Sequence, residues 1–162
     1  MSTTAGGDAD RELRAEVVIA AGPSEVWTVL SDVSVLSAGS PETVRMLPLK
    51  SGGMRVGQWY LGINRRGWVW WPTRNVVATV DPQRALVWDT ASSGARWIYE
   101  LSADPAGTRV VHRRPVPRRL TLISKVFAAT LLGGAVSHAD ELEAGMARTL
   151  AGVKARVEAA AG

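Results

Sequence analysis

A chain of 162 residues is long enough to bury roughly 70% of its unfolded surface in one core, and too short for a second domain of ordinary size. At 46% hydrophobic and 21% charged, with no cysteine, it reads as a globular protein that stands on packing alone; disulfides, thiolate metal sites and thiol nucleophiles are excluded. The formal charge of +4 is unevenly placed: between residues 96 and 125, Arg96, Arg109, Arg113, Arg114, Arg118, Arg119 and Lys125 are set against Glu100 and Asp104 alone, a cationic stretch suited to anionic partners.

Residues 1–10, MSTTAGGDAD, read as a disordered tail, and a single domain is expected over 11–160. No basic region followed by an apolar run opens the chain, so a cytoplasmic location is the expectation. Next, RELRAEVVIA alternates Leu13, Ala15, Val17 and Ile19 with Arg14 and Glu16, the period of a half-buried strand. Gly22-Pro23 ends it, and PSEVWTVLSD opens a helix with proline in its first turn and Val26, Trp27 and Leu30 as its buried stripe. A second short helix over 33–38 is broken by SAGSPE.

Turn signals at Ser51-Gly52-Gly53, Arg66-Gly67, Asp81-Pro82, Ser93-Gly94 and Asp104-Pro105-Ala106-Gly107 separate strand-length segments rich in Trp, Val and Thr, which predicts an antiparallel meander. Alternation assigns the faces. Gln58, Tyr60, Gly62 and Asn64 share the inner parity, followed by Trp71, Thr73, Asn75 and Val77. Further strands add Leu86, Trp88 and Thr90, then Trp97, Tyr99 and Leu101, then Val110 and His112. Trp70, Pro72, Arg74 and most of the charged residues fall outward, and Trp68 sits at a turn.

After the sheet comes RRLTLISKVFAATLLGGAV, apolar from Leu120 to Val136 except for Lys125. It is too short to span a bilayer and reads as a short helix with a Gly133-Gly134 break. The final segment spaces Leu142, Met146, Leu150, Val153 and Val157 three or four apart. Glu143, Arg148, Lys154 and Glu158 point elsewhere, so a long amphipathic terminal helix is expected.

Several of these residues recur in a known order. Pro23, Val26 and Trp27 precede Asp32; SPE stands at 40–42; Gly57, Gly62, Asn64, Arg65, Arg66 and Gly67 follow. Trp71, Val77, Asp81-Pro82 and Trp88 come next, then Trp97-x-Tyr99-x-Leu101, Gly107-Thr108 and ELEAGMARTL at 141–150. In this order the chain resembles the START-like (SRPBCC) superfamily over about residues 12–158, and specifically its polyketide cyclase/dehydrase and lipid-transport branch. The resemblance implies an α+β helix-grip fold of the START/Bet v 1 kind: a curved antiparallel sheet of six to seven strands wrapped around a long C-terminal helix, with two short helices after the first strand. One position departs from the family, which often has tryptophan before SPE where this chain has Gly39; a locally wider or differently shaped cavity is the expectation.

The resemblance implies an apolar small molecule held between sheet and helix. The inner parity then nominates Tyr60, Asn64, Trp71, Thr73, Asn75, Trp88, Trp97, Tyr99 and His112 as its wall, with Met146 and Leu150 from the helix. Aromatic walls with a few convergent polar groups are typical of such pockets. The same aromatics serve equally as core, each burying about 150–250 Å², and the inward asparagines need partners from each other, the backbone or a ligand.

Three functions compete. The first is a carrier or sensor of a lipid, isoprenoid or polyketide-like molecule. The second is an aromatase/cyclase-type enzyme, in which His112 moves protons with Tyr60, Tyr99 or Asn64; no inward carboxylate joins it. The third is a peripheral binder in transient contact with anionic membranes, using Arg113, Arg114, Arg118 and Arg119 beside Leu122, Phe127 and Leu131. No metal is expected, because His112 and His138 fall on different elements, and no cofactor fingerprint is present. Nucleic acid ranks last, since the parity sends most aromatics inward.

Overall fold

The computed structural model describes residues 11–116 and 135–162, with side chains of the second segment from Ala139 onward. The elements run β1 (Leu13–Ile19), α1 (Pro23–Leu30), α2 (Val33–Gly39), β2 (Thr43–Pro48), β3 (Trp59–Arg66), β4 (Val69–Asp81), β5 (Ala85–Thr90), β6 (Ala95–Asp104), β7 (Gly107–Arg114) and α3 (Ala135–Ala160). Seven antiparallel strands form one curved sheet in the order β1-β7-β6-β5-β4-β3-β2, so the meander β2–β7 is completed by the first strand pairing with the last. This is the helix-grip architecture, with α3 packed on the concave face.

Local chemistry starts the two short helices. Gly22 caps α1, Pro23 fills its first turn, and the Glu25 carboxylate accepts from the Gly22 N–H at 2.8 Å. Asp32 caps α2 by accepting from the Ser34 N–H at 2.9 Å. Val26 and Leu30 of α1 are fully buried, while Trp27 packs only partly buried against the same core. Val35 and Leu36 of α2, Leu150, Val153 and Val157 of α3, and Val77, Leu86, Tyr99 and Val110 of the sheet complete that core.

Polar residues of α3, off its apolar stripe, bind β1 and the residues flanking it. Glu143 accepts two hydrogen bonds from the Arg11 guanidinium at 2.8 Å and one from the Arg14 N–H at 3.0 Å. Near the other end of the helix, Lys154 donates to the Val18 carbonyl at 2.8 Å, and Glu158 accepts from the Ala20 N–H at 3.1 Å. The helix is thereby fastened along β1, whose outer edge would otherwise present unpaired backbone groups. Among the described residues, no helix is long and apolar enough to cross a membrane.

Two departures from plain alternation shape the sheet. A bulge between Val77 and Thr79 shifts the register of β4 on β5, so Val80 faces the core opposite Leu86. Between β3 and β4, Arg66 pairs with Val69 across a two-residue turn, with Gly67 at φ 59° in the first central position, as a type II′ hairpin requires. Trp68 is therefore the tip of the hairpin, 96% exposed.

Gly39 does not widen a cavity. A Cβ there would lie 2.7 Å from Thr149 Cα, and one on Gly145 would lie 2.7 Å from Pro41 Cγ. The end of α2 and the SPE segment instead seat directly on the backbone of α3, with no room for a Cβ at position 39.

Candidate functional site

On the inner face, the expected polar residues meet one another before any ligand. Thr43 donates to Asn64 Oδ1 at 3.0 Å, and Asn64 Nδ2 donates to Thr73 Oγ1 at 3.0 Å and to the Trp71 carbonyl at 3.3 Å. Asn75 Nδ2 donates to the same Thr73 oxygen at 3.3 Å, Thr90 donates to Asn75 Oδ1 at 2.7 Å, and Trp97 Nε1 donates to Thr90 at 3.1 Å. One chain of bonds thus crosses from β2 to β6. Gly62 makes room for it, since a Cβ there would stand 2.4 Å from Thr73 Oγ1. Asn64 and Asn75 are satisfied within the protein, so their burial is explained without a ligand. Thr43 and Thr90, absent from the nominated wall, are members of the same chain; for Thr90 the inner parity was the available signal.

Beside this network stands an aromatic row. Tyr99 stacks on the His112 ring at 3.9 Å between centroids and 17° between planes, Trp97 lies 5.9 Å from His112, and Trp88 lies 5.3 Å from Tyr99. Leu150 joins the main core with Tyr60, Trp88 and Tyr99, whereas Met146 sits with Leu13, Ala139, Leu142 and Trp97 in a second cluster. Trp71 and Thr73 are half-buried at the wetter end of β4. The nominated wall therefore divides into a bonded polar strip, an aromatic row and two apolar clusters.

His112 is the exception to internal satisfaction. It is 3% exposed, and neither ring nitrogen has a hydrogen-bond partner among the described residues. Burial depresses its pKa to about 3, so the imidazole is neutral at physiological pH. The same burial raises the Tyr99 hydroxyl well above its ordinary value and lifts that of Tyr60.

Arg114 corrects the membrane-surface reading of the cationic stretch. It continues the inner parity of 108, 110 and 112, its guanidinium lies 5.2 Å above the Trp97 ring, and its Nε is buried without a hydrogen-bond partner among the described residues. Burial lowers its pKa, with the Glu42 carboxyl acting in the opposite sense. Alternation would have found Arg114, as it found His112. Arg113 does point outward, but it is ion-paired with Glu12 and Glu100 and offers no spare charge to a membrane. Arg118, Arg119, Leu122, Phe127 and Leu131 lie outside the described residues, as do the His138 side chain and the short helix expected after Leu120.

At the mouth of the hairpin end, a cleft of about 470 Å³ opens between the SPE segment, the β3–β4 turn and α3, lined by Pro41, Glu42, Arg65, Arg66, Glu141 and Arg148 among others. Arg66 pairs with Glu141 there at 2.6 Å. Burial raises the Glu42 carboxyl above the usual carboxylate range, Arg66 pulling it back and Glu141 adding to the rise. The cleft is charged and open, unlike the aromatic row.

Comparison with known proteins agrees with this architecture. The family model described as polyketide cyclase / dehydrase and lipid transport matches residues 10–158. No curated protein matches the sequence. Among solved structures, the Polyketide_cyc-like protein Cgl2372 from Corynebacterium glutamicum is 20% identical, with 91% of each chain covered and a TM-score of 0.58. The di-domain ARO/CYC StfQ from the steffimycin biosynthetic pathway is 15% identical with a TM-score of 0.70, over 93% of this chain and 51% of that one. An AHSA1-like protein from Aeromonas hydrophila is 17% identical, with a TM-score of 0.59, over 93% and 94% of the two chains. At these identities the likeness concerns the fold.

Proposed function

The chain belongs to the polyketide cyclase / dehydrase and lipid transport family, and from that premise we propose that it carries or senses an apolar small molecule, such as a lipid, isoprenoid or polyketide-like aromatic, held between the sheet and α3. His112 supports this reading. A neutral imidazole has one donor and one acceptor, and leaving a buried polar group unmet costs about 1–3 kcal/mol. A ligand hydroxyl or carbonyl against the Trp97–Tyr99–His112 row would supply the missing partner and stack on a flat wall.

Binding is favoured over proton-transfer catalysis by the same group. An imidazole with a pKa of about 3 is not an imidazolium acid at neutral pH and is a weak base, and among the described residues no carboxylate is hydrogen-bonded to it. The test is mass spectrometry of small molecules retained by the native protein, compared with His112→Phe. An apolar compound retained by the wild type and reduced in the variant is expected. If neither protein retains a compound, and lipids, isoprenoids and aromatic polyketides all fail to quench tryptophan fluorescence, the carrier reading is refuted. Turnover of a polyketide substrate that the variant loses while still binding it would establish a cyclase instead.

A further inference from the structure

The outer face of the sheet divides into two halves of opposite chemistry. Over β5, β6, β7 and β1, charges are matched: Arg96 with Asp89 at 2.7 Å, Arg109 with Asp104 at 2.7 Å and with Glu16, and Arg113 with Glu12 and Glu100. Over β2, β3 and β4 they are not. From Thr43 to Val80 the sequence contains no aspartate or glutamate, while Arg45, Lys50, Arg55, Arg65, Arg66 and Arg74 fall in the same stretch. Among the described residues, Arg66 alone of these six is ion-paired, to Glu141 on the cleft side of the turn.

Register places the unmatched arginines among apolar residues. Ile63 lies between Arg45 and Pro72 on neighbouring strands, and Arg65 is opposite Trp70. All of these alternate with the inward Gly62 and Asn64, so they share the outward face. The Arg65 guanidinium lies 5.3 Å from the Trp70 ring centre, and that of Arg74 lies 4.7 Å from the Trp59 ring centre. Arg65 Nε also donates to the Gly67 carbonyl at 2.8 Å, which ties the arginine to the turn. Trp70 is 55% exposed, and Trp68 projects from the tip at 96%.

We infer that this face docks on an anionic lipid bilayer, with Trp68 entering the headgroup layer and Arg45, Arg65 and Arg74 lying against the lipid phosphates. A tryptophan left almost wholly in water is poorly placed, whereas the membrane interface accommodates both its apolar rings and its N–H. Unpaired arginines in a stretch, residues 43–80, that holds no carboxylate complement a negative surface and gain from it over about a Debye length. Single-stranded nucleic acid fits less well, because base stacking needs bare ring faces and guanidinium groups already cover one face of Trp59 and of Trp70. The surface is separate from the aromatic row, so the inference stands whatever the ligand.

The experiment is co-sedimentation of the full chain with phosphatidylcholine vesicles and with equimolar phosphatidylcholine–phosphatidylglycerol vesicles. Binding to the anionic vesicles alone is expected, with a blue shift of indole emission that Trp68→Ala removes. Arg65→Gln and Arg74→Gln should each weaken binding about fivefold, and Arg113→Gln on the ion-paired half should leave it unchanged. Arg65, Trp68 and Arg74 are exposed, so the fold is not at risk in their variants, and a thermal melt shows that Arg113→Gln is folded. Equal sedimentation with both vesicles, sensitivity to Arg113→Gln in place of the hairpin variants, or displacement of bound protein by a single-stranded oligonucleotide would overturn the inference.

Discussion

His112 is held as a neutral imidazole in an aromatic stack, and its titration is coupled to folding. Its folded pKa of about 3 lies below the ordinary value of 6.5, so between these values the unfolded chain binds the proton and the folded chain does not. Stability from this group is therefore complete above about pH 6.5 and declines as the pH falls toward 3. His112→Phe should remove that dependence, and should cost nothing at neutral pH because it deletes two unmet polar atoms from an apolar site. Urea midpoints measured at neutral pH and near pH 4 test both statements; a variant as acid-sensitive as the wild type would show that the imidazole is not the buried neutral group described. The asparagines illustrate the opposite case. Sequence parity placed Asn64 and Asn75 inward correctly, yet their partners are each other's neighbours Thr43, Thr73 and Thr90, and pairing across strands depends on register.

Among the elements, α2 meets α3 at a glycine. Helix α3 lies so near Gly39 that Thr149 Cα would stand 2.7 Å from a Cβ at that position. Gly39→Ala should accordingly destabilise the protein by about 1–3 kcal/mol through overpacking, even though alanine is the better helix former. Denaturant unfolding of the variant decides it, and an unchanged or raised midpoint would mean that α3 yields at no cost. The helix is restrained along its other side by Glu143, Lys154 and Glu158 on β1, so little freedom to move away is available. Amphipathic spacing identified the buried stripe Met146, Leu150, Val153 and Val157. It did not identify these polar residues as attachments, because periodicity records which face is apolar and not what the other faces touch.

For the whole molecule, acid lability should arise in two stages with the same sign. Glu12, Glu16, Asp104, Glu143 and Glu158 are held below their ordinary values chiefly by hydrogen bonds from arginine, lysine or backbone donors. Their contribution is present above the unfolded values, near 4.5 for Glu and 3.8 for Asp, and is lost as the pH falls through the folded ones. The His112 stage begins above that range. A pH series of thermal midpoints should therefore decline first below about pH 6.5 and more steeply below about pH 4.5, and His112→Phe should delete the first decline while keeping the second. A single decline in both proteins would exclude the two-stage account. Most of the carboxylates of the second stage lie on or beside the matched half of the outer face, which is why Arg96, Arg109 and Arg113 do not form a free basic patch.

Sequence alone determined the class of this protein. Alternation, turn residues and a heptad-like terminal stripe are local signals, set by backbone geometry within a few residues, and they predicted the strand, two helices, meander and final helix that the sheet and α3 realise. The same local parity placed His112 inside and left Trp70 outside. Tertiary structure alone decided which polar groups are satisfied, how near α3 lies to Gly39, and which arginines have carboxylates beside them. Those properties depend on distances between residues far apart in the chain, and charge or hydrogen-bonding capacity counted along a sequence carries no information about the distance at which it is met.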